Sequence, residues 1–379
     1  MIRGFIKRLL ENKKDTNNTT NSKPAIGLIE GGGTGPELAE VFEKVVSTIY
    51  KQETGGDVEF LSFKKIFGYH PKTFWELKES YYTKPYSFIK KICEEDTNNI
   101  LKFDEILLSK SCIGIFRTAI NAETLYYLRK KAKTIKVVPL KIRKGDKEAN
   151  VLFIRDQIQG YYTTEKIRAK NESIEITSIF RENLFEIILN FVKEKSKELG
   201  FEDATILFLY KFHIMGIELQ KMIDKAMQNS KLTNKYLVMQ PDSGIHFLLH
   251  DMFVKNVSKV VVICGNEIGD VLLETLIHYY NLGTKETFFT SNFVLGVKGI
   301  EALQTMHGSA DDIAGKGIVN PTATLKLSAY ALEKWLHVPN AIERMEKIIS
   351  KAIQTKNITP DMGGDKKTME VVDYVLNNW

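Results

Sequence analysis

Only three of the 379 residues are cysteine. Cys93, Cys112 and Cys264 are odd in number and far apart, which excludes a disulfide framework or a zinc knuckle and fits a reducing compartment. Long apolar runs are missing as well. Lys, Asp, Glu or Asn interrupts every stretch before it nears the roughly 18 to 20 residues that span a bilayer, so no transmembrane segment is expected. Strong charge of one sign is also absent. The formal net charge is +6, but residues 1–24 hold +4 of it, in Arg3, Lys7, Arg8, Lys13, Lys14 and Lys23 against Glu11 and Asp15. The body, at about +2, is too weakly biased to suggest nucleic acid as a partner.

What is present suits a globular body: 43% of residues are hydrophobic and 26% charged, enough for one large core or two ordinary ones. The first 24 residues differ. Ile2, Phe5, Ile6, Leu9 and Leu10 recur at helical spacing with Arg3, Lys7 and Arg8 off that stripe, and a polar linker ends at Pro24. A basic amphipathic leader of this kind resembles a mitochondrial presequence, which points to the matrix; a retained docking helix is the alternative.

From residue 25 the pattern alternates. AIGLIE reads as a strand, GGGTGPE as a turn and LAEVFEKVVSTIY as a helix; VLFIRDQ, ATILFLY and KVVVICG read as buried strands, with helical periodicity between them. Such alternation predicts an α/β fold with a largely parallel sheet. Residues 51 to 110 fit poorly: an aromatic-rich patch and a polar insertion near EEDTNN suggest loops with one or two helices.

GGGTGPE, Gly31 to Glu37, suits a close backbone approach or a plain turn, and its spacing is not GxGxxG. More specific is HGSADDIAGKGIVNPTATLK, His307 to Lys326, where acids, glycines and Asn320-Pro321 could wrap backbone around a polar ligand. This ordered segment resembles the adenine-nucleotide loop of the isocitrate/isopropylmalate dehydrogenases, the β-decarboxylating dehydrogenases, almost residue for residue. Other segments extend the resemblance: IGLIEGGGTGPE to the opening strand and turn, VLFIRDQIQGYY to VRENTEGxY, ATILFLYKFHIM to the strand ending in K-A-N, and GNEIGDVLLE and PDSGIHFLL to the metal segments. The chain is most like a divergent subunit of the mitochondrial NAD-dependent isocitrate enzyme.

The resemblance implies two α/β domains around a central, mostly parallel sheet with a cleft between them, not a Rossmann fold. The large domain would comprise 25–133 and 281–379, and the small one 134–280 with a dimer clasp at about 160–183. It implies Tyr162 and Lys211 as acid/base groups, Arg129 and Arg155 as substrate-carboxylate ligands, and Asp242, Asp270 and Glu274 as ligands of Mg²⁺ or Mn²⁺, a set of hard oxygens. His307, Gly308, Asp312, Ile313 and Asn320 would hold NAD, Asp312 repelling the extra phosphate of NADP. In the family the lysine and one metal aspartate come from the neighbouring subunit, so a homo- or hetero-dimer or higher oligomer is expected, within or outside a larger mitochondrial assembly.

Departures gather on the substrate side. A second carboxylate-binding arginine falls at Val138, the Ser and Asn of isocitrate recognition at Glu123 and Leu125, a glutamate near the nicotinamide at Gln304, and the usual asparagine after Lys211 at His213. Two readings therefore stand: an NAD-dependent isocitrate dehydrogenase-like subunit, possessing catalytic groups or regulating others, and a catalytically inactive homologue serving as an accessory subunit. An isopropylmalate-type activity ranks below both. His246 and His250, four apart, are expected to serve packing or surface roles.

Overall fold

The computed structural model describes residues 23–160, 166–170, 173–212, 216–282, 289–294, 300–306 and 308–379. Residues 1–22 of the leader, Tyr162, His213 and His307 lie outside them. Twelve strands are present among the described residues: β1 (Ala25–Ile29), β2 (Glu59–Ser62), β3 (Gly114–Arg117), β4 (Thr134–Lys144), β5 (Lys147–Asp156), β6 (Lys166–Lys170), β7 (Ser173–Thr177), β8 (Thr205–Leu209), β9 (Tyr236–Met239), β10 (Lys259–Gly265), β11 (Phe289–Val294) and β12 (Ala302–Thr305). Ten of them build one open sheet in the order β2-β1-β3-β12-β11-β4-β5-β10-β8-β9, and β6 pairs with β7 as a separate antiparallel ribbon.

The two flanks of the sheet are parallel, as the strand–helix alternation predicts. The centre is not: β11 runs antiparallel to both β12 and β4, and β4 antiparallel to β5. The β4–β5 connection is a tight turn with Gly145 at φ 59°, so no helix can cross over there. The strands of the β2-β1-β3-β12 flank come from residues 25–133 and 281–379, and those of β5-β10-β8-β9 from 134–280.

Each flank is buried on both faces. In β5, β8 and β10, Leu152, Ile154, Ile206, Phe208, Val261 and Ile263 join one apolar cluster, while Val151, Phe153, Leu207, Leu209, Val260 and Val262 join another. The period-two split puts helices over both faces, which is why these strands read as unbroken apolar runs. On the other flank the 20-residue helix α1 (Gly35–Thr54) places Phe42 flat against Phe116 of β3, ring centroids 4.5 Å apart.

Residues 51 to 110 are more ordered than their composition suggests. They contain β2, a short helix at Phe63–Phe67, helix α2 (Phe74–Thr83) and the 24-residue helix α3 (Tyr86–Ser109). EEDTNN is not an insertion but the middle of α3, because two of its polar residues point inward and are satisfied there. Asp96 accepts the Lys72 backbone N–H at 2.9 Å, and Thr97 donates to the Cys93 carbonyl at 2.7 Å.

Candidate active site

Arg155 lies one residue from the carboxyl end of β5, in register with Lys136 of β4 and Cys264 of β10. It is buried, 4% exposed, and reaches over helix α5 (Asn266–Tyr279), donating from Nε to the Asn266 carbonyl at 3.0 Å and from Nη1 to Asp270. Gly269 makes this approach possible, since a Cβ there would stand 2.8 Å from Arg155 Cγ. Arg129, also buried, comes from the last turn of helix α4 (Ala122–Ala132), where a cation complements the helix dipole. With its oxygen turned toward the arginine, the Gln157 amide accepts from Arg129 Nη2 at 3.1 Å and Nε at 3.2 Å.

Asp270 and Glu274 are one turn apart on α5, on one face. Together with Arg129, Arg155 and Lys136 they line a single cavity of about 260 Å³, whose remaining wall is formed by Ala122, Leu125, Tyr126 and Met306. Four predicted residues thus converge: Arg129, Arg155, Asp270 and Glu274. The site sits at the carboxyl ends of β5 and β10, the usual place for ligands in open α/β sheets.

Lys136 is the cation that motif matching overlooks. Val138, where the second arginine falls, packs in the apolar core with Leu140 and Ile142, whereas Lys136, two residues earlier on the same strand face, opens into the cavity. Burial, reinforced by the adjacent Arg155 charge, holds its amine down at about 7. Arg129 is likewise depressed, by burial and then by repulsion from Arg155 and Arg117. Arg117, at the end of β3, is another buried cation absent from the motif set; its Nη2 donates to Gln304 Oε1 at 2.7 Å. The glutamine that replaces the family's glutamate is therefore engaged with an arginine.

Glu123 faces away from the cavity. Its carboxylate accepts from Tyr86 at 2.5 Å, Tyr127 at 3.1 Å and Tyr81 at 3.5 Å, clamping α2 and α3 to α4. Leu125 alone of the two substituted positions lines the pocket, and it adds apolar surface there.

Lys211 and Asp242 do not line this cavity. Lys211 is exposed just beyond β8, and Asp242 is exposed in the short helix Pro241–His246. Next to Lys211, Tyr210 is buried and donates to Asp156 Oδ2 at 2.8 Å; the Asp156 carboxylate also receives the backbone N–H groups of Ile158 and Gln159 at 2.9 and 3.3 Å and the Gln159 side chain at 3.0 Å. Burial outweighs these donors and raises Asp156 to about 6. A carboxyl whose folded value lies above its unfolded one keeps a proton that the unfolded chain has lost. Stability should therefore fall as pH rises from about 4 to about 6, by up to ~3 kcal/mol. Asp156→Asn is expected to flatten that part of the Tm–pH curve, and parallel curves for both proteins would refute the assignment. His246 and His250 are exposed and stacked, centroids 5.3 Å apart, flanking Asp251.

The glycine turn and the second motif meet. Thr34 donates its backbone N–H and its hydroxyl to the Ser309 carbonyl at 2.8 and 3.0 Å, and the Gly315 N–H donates to Glu37. Ala310, Gly315 and Gly317 take left-handed φ, which curls the segment. Gly308 and Asp312 are exposed, and Ile313 packs against the main core. Asn320 is spent on the loop itself: its amide donates to Asp361 at 2.8 Å and its oxygen accepts from the Thr322 N–H at 2.9 Å. The exposed acid and open backbone fit an adenosine ribose. For a metal, Asp270 and Glu274 offer oxygens alone, while the nearby Cys264 thiol is buried and pushed up, so a hard divalent cation fits better than zinc.

A sequence profile described as isocitrate/isopropylmalate dehydrogenase matches residues 25–375. The chain belongs to that family. An isocitrate/homoisocitrate dehydrogenase of Pyrococcus horikoshii is 25% identical over 360 residues, 93% of this chain and 91% of that protein. A 3-isopropylmalate dehydrogenase of Novosphingobium aromaticivorans is 30% identical over 174 residues, 41% of this chain and 47% of that protein. Among solved structures, isocitrate dehydrogenase from Methylococcus capsulatus superposes with TM-score 0.63 at 17% identity, covering 94% of this chain and 99% of its own. That likeness concerns the fold. With membership in the isocitrate/isopropylmalate dehydrogenase family goes β-decarboxylating dehydrogenase chemistry as the class of reaction.

Proposed function

We propose that this chain is an NAD-dependent isocitrate dehydrogenase-like subunit that oxidatively decarboxylates a 2-hydroxy acid with Mg²⁺ or Mn²⁺, in a dimer or larger oligomer of homologous subunits in the mitochondrial matrix. One observation carries the reading: two buried arginines and two carboxylates one helical turn apart share one cavity. Arg129 and Arg155 hold substrate carboxylates, the planar fork gripping each in two places. Asp270 and Glu274 of one subunit, with Asp242 of a second, would hold the divalent ion, which would supply a Lewis acid beside the substrate's oxygens. Tyr162, and Lys211 from the second subunit, move the protons. His307, Gly308, Asp312, Ile313 and the backbone at Asn320 receive NAD. The exposure of Lys211 and Asp242 away from the cavity supports their service to another copy, and the basic amphipathic leader supports the location.

Mixing the full chain with isocitrate, NAD and Mn²⁺ is expected to give NADH, alone or with a co-purifying homologue; 3-isopropylmalate serves as the competing substrate. Calorimetry that shows NAD binding without binding of either acid would overturn this reading. It would favour the second one, a catalytically inactive accessory subunit. Two features favour that alternative: Val138 is sealed in the core, and Asp270 is already ion-paired with Arg155.

A further inference from the structure

Resting on the proposed 2-hydroxy-acid site, the geometry points to Lys136 as a substrate ligand that determines specificity. Four observations lead there. Lys136 stands directly across the β4–β5 ladder from Arg155, and side chains opposite one another on a sheet face are neighbours. It opens into the same cavity as Arg129, Arg155, Asp270 and Glu274. Further along its strand on that face, Val138, Leu140 and Ile142 are packed in apolar core, while Thr134 on its other side is buried and polar, so the lysine marks the point where the face turns from structural to polar. Its ammonium has no hydrogen bond or ion pair among the described residues, whereas Arg155 is paired with Asp270 and Arg129 with Gln157.

An unpaired cation held beside two other cations costs free energy unless something anionic comes to it. Packing does not demand it, because Val138 next along the face shows what packing selects. With Lys136 protonated, as an incoming carboxylate would favour, three cations face two carboxylates and leave the cavity net positive before a divalent ion binds, which selects a ligand with more than one carboxylate. A lysine is a compact point charge on a flexible stem, so it discriminates by the charge and reach of that carboxylate rather than by a two-point planar grip. The site thus recovers with an ammonium from position 136 the charge that Val138 lacks.

The test compares wild type, Lys136→Met and Lys136→Arg by calorimetry with isocitrate and, separately, 3-isopropylmalate, each with Mn²⁺, and with NAD alone. Lys136→Met keeps the stem volume and removes the charge. It is expected to weaken binding of the acid roughly 30-fold or more, to leave NAD affinity unchanged and not to lower Tm, while Lys136→Arg restores most of the binding. Equal acid affinity in wild type and Lys136→Met overturns the inference, as does a wild type that binds neither acid. Binding without NADH formation, lost in Lys136→Met, would overturn the enzymatic reading and leave this one standing.

Discussion

Arg155→Ala is expected to lower kcat/KM for the 2-hydroxy acid about a thousandfold. The arginine is 4% exposed and lines the cavity, so removing it strips a substrate carboxylate of a bidentate, charge-assisted partner in a weakly screening environment. Truncating one member of such a pair costs roughly 2–5 kcal/mol, and each 1.36 kcal/mol is a decade in rate, which places the loss between about 30- and 5,000-fold. The folded state should tolerate the change better than the site does. Asp270, the ion-pair partner, has a side chain 60% exposed and is solvated once released. Nucleotide affinity should persist, because the loop from Gly308 to Asn320 is held by Thr34, Glu37 and Asp361 rather than by Arg155. Steady-state kinetics with calorimetric NAD titration separates the outcomes. Unchanged kcat/KM would remove Arg155 from the substrate site, and a parallel loss of NAD binding would mean that the variant is misfolded.

Which parts of this site were legible depended on whether the information was local. Asp270, Glu274 and Arg155 were named by the family resemblance, and their local placement could be read with it, because a four-residue spacing puts the two acids on one helix face and an apolar run carries the arginine at a strand end. Lys136 could not be read by motif register, which slides along KVVPLK to the proline and stops at Val138. The period of two would have found it, since residues 136 and 138 share a face and one of them had to border whatever Arg155 borders. Glu123 was illegible for a different reason. Its partners, Tyr81 and Tyr86, are 42 and 37 residues away, on helices whose packing no local pattern announces. The same long-range satisfaction hid α3: Asp96 and Thr97 look like loop residues until the Lys72 N–H and the Thr124 carbonyl are brought to them. The antiparallel centre of the sheet was hidden too, because alternation of strands and helices reports the flanks and says nothing of where β11 inserts between β4 and β12.

The join between the glycine turn and the proposed nucleotide loop should be as sensitive as the proposed substrate arginine, by a different route. Gly33 sits at φ 62°, and a Cβ there would lie 2.3 Å from the Ser309 carbonyl oxygen. Gly33→Ala meets two costs at once: the left-handed backbone, ~1–2 kcal/mol for an L side chain, and a backbone clash of the kind that costs ~1–3 kcal/mol. The Ser309 oxygen cannot retreat freely, because it accepts both the Thr34 N–H and the Thr34 hydroxyl, and both residues are buried. Relief therefore pushes the segment 308–317 off α1 and breaks those bonds. A loss of about 3 kcal/mol in a chain of this size lowers Tm by roughly 4 °C. The displaced loop should raise the KM for NAD by about tenfold, corresponding to ~1.4 kcal/mol, while kcat at saturating NAD changes little. Gly317→Ala supplies the contrast. Its φ is 66°, but nothing lies within 4 Å of the added Cβ, so it carries the backbone cost alone and should lower Tm by only about 1–2 °C with NAD affinity retained. If the two alanine variants behave alike in melting and in NAD kinetics, the contact between Gly33 and Ser309 does not shape the nucleotide site, and the two glycine motifs are independent turns.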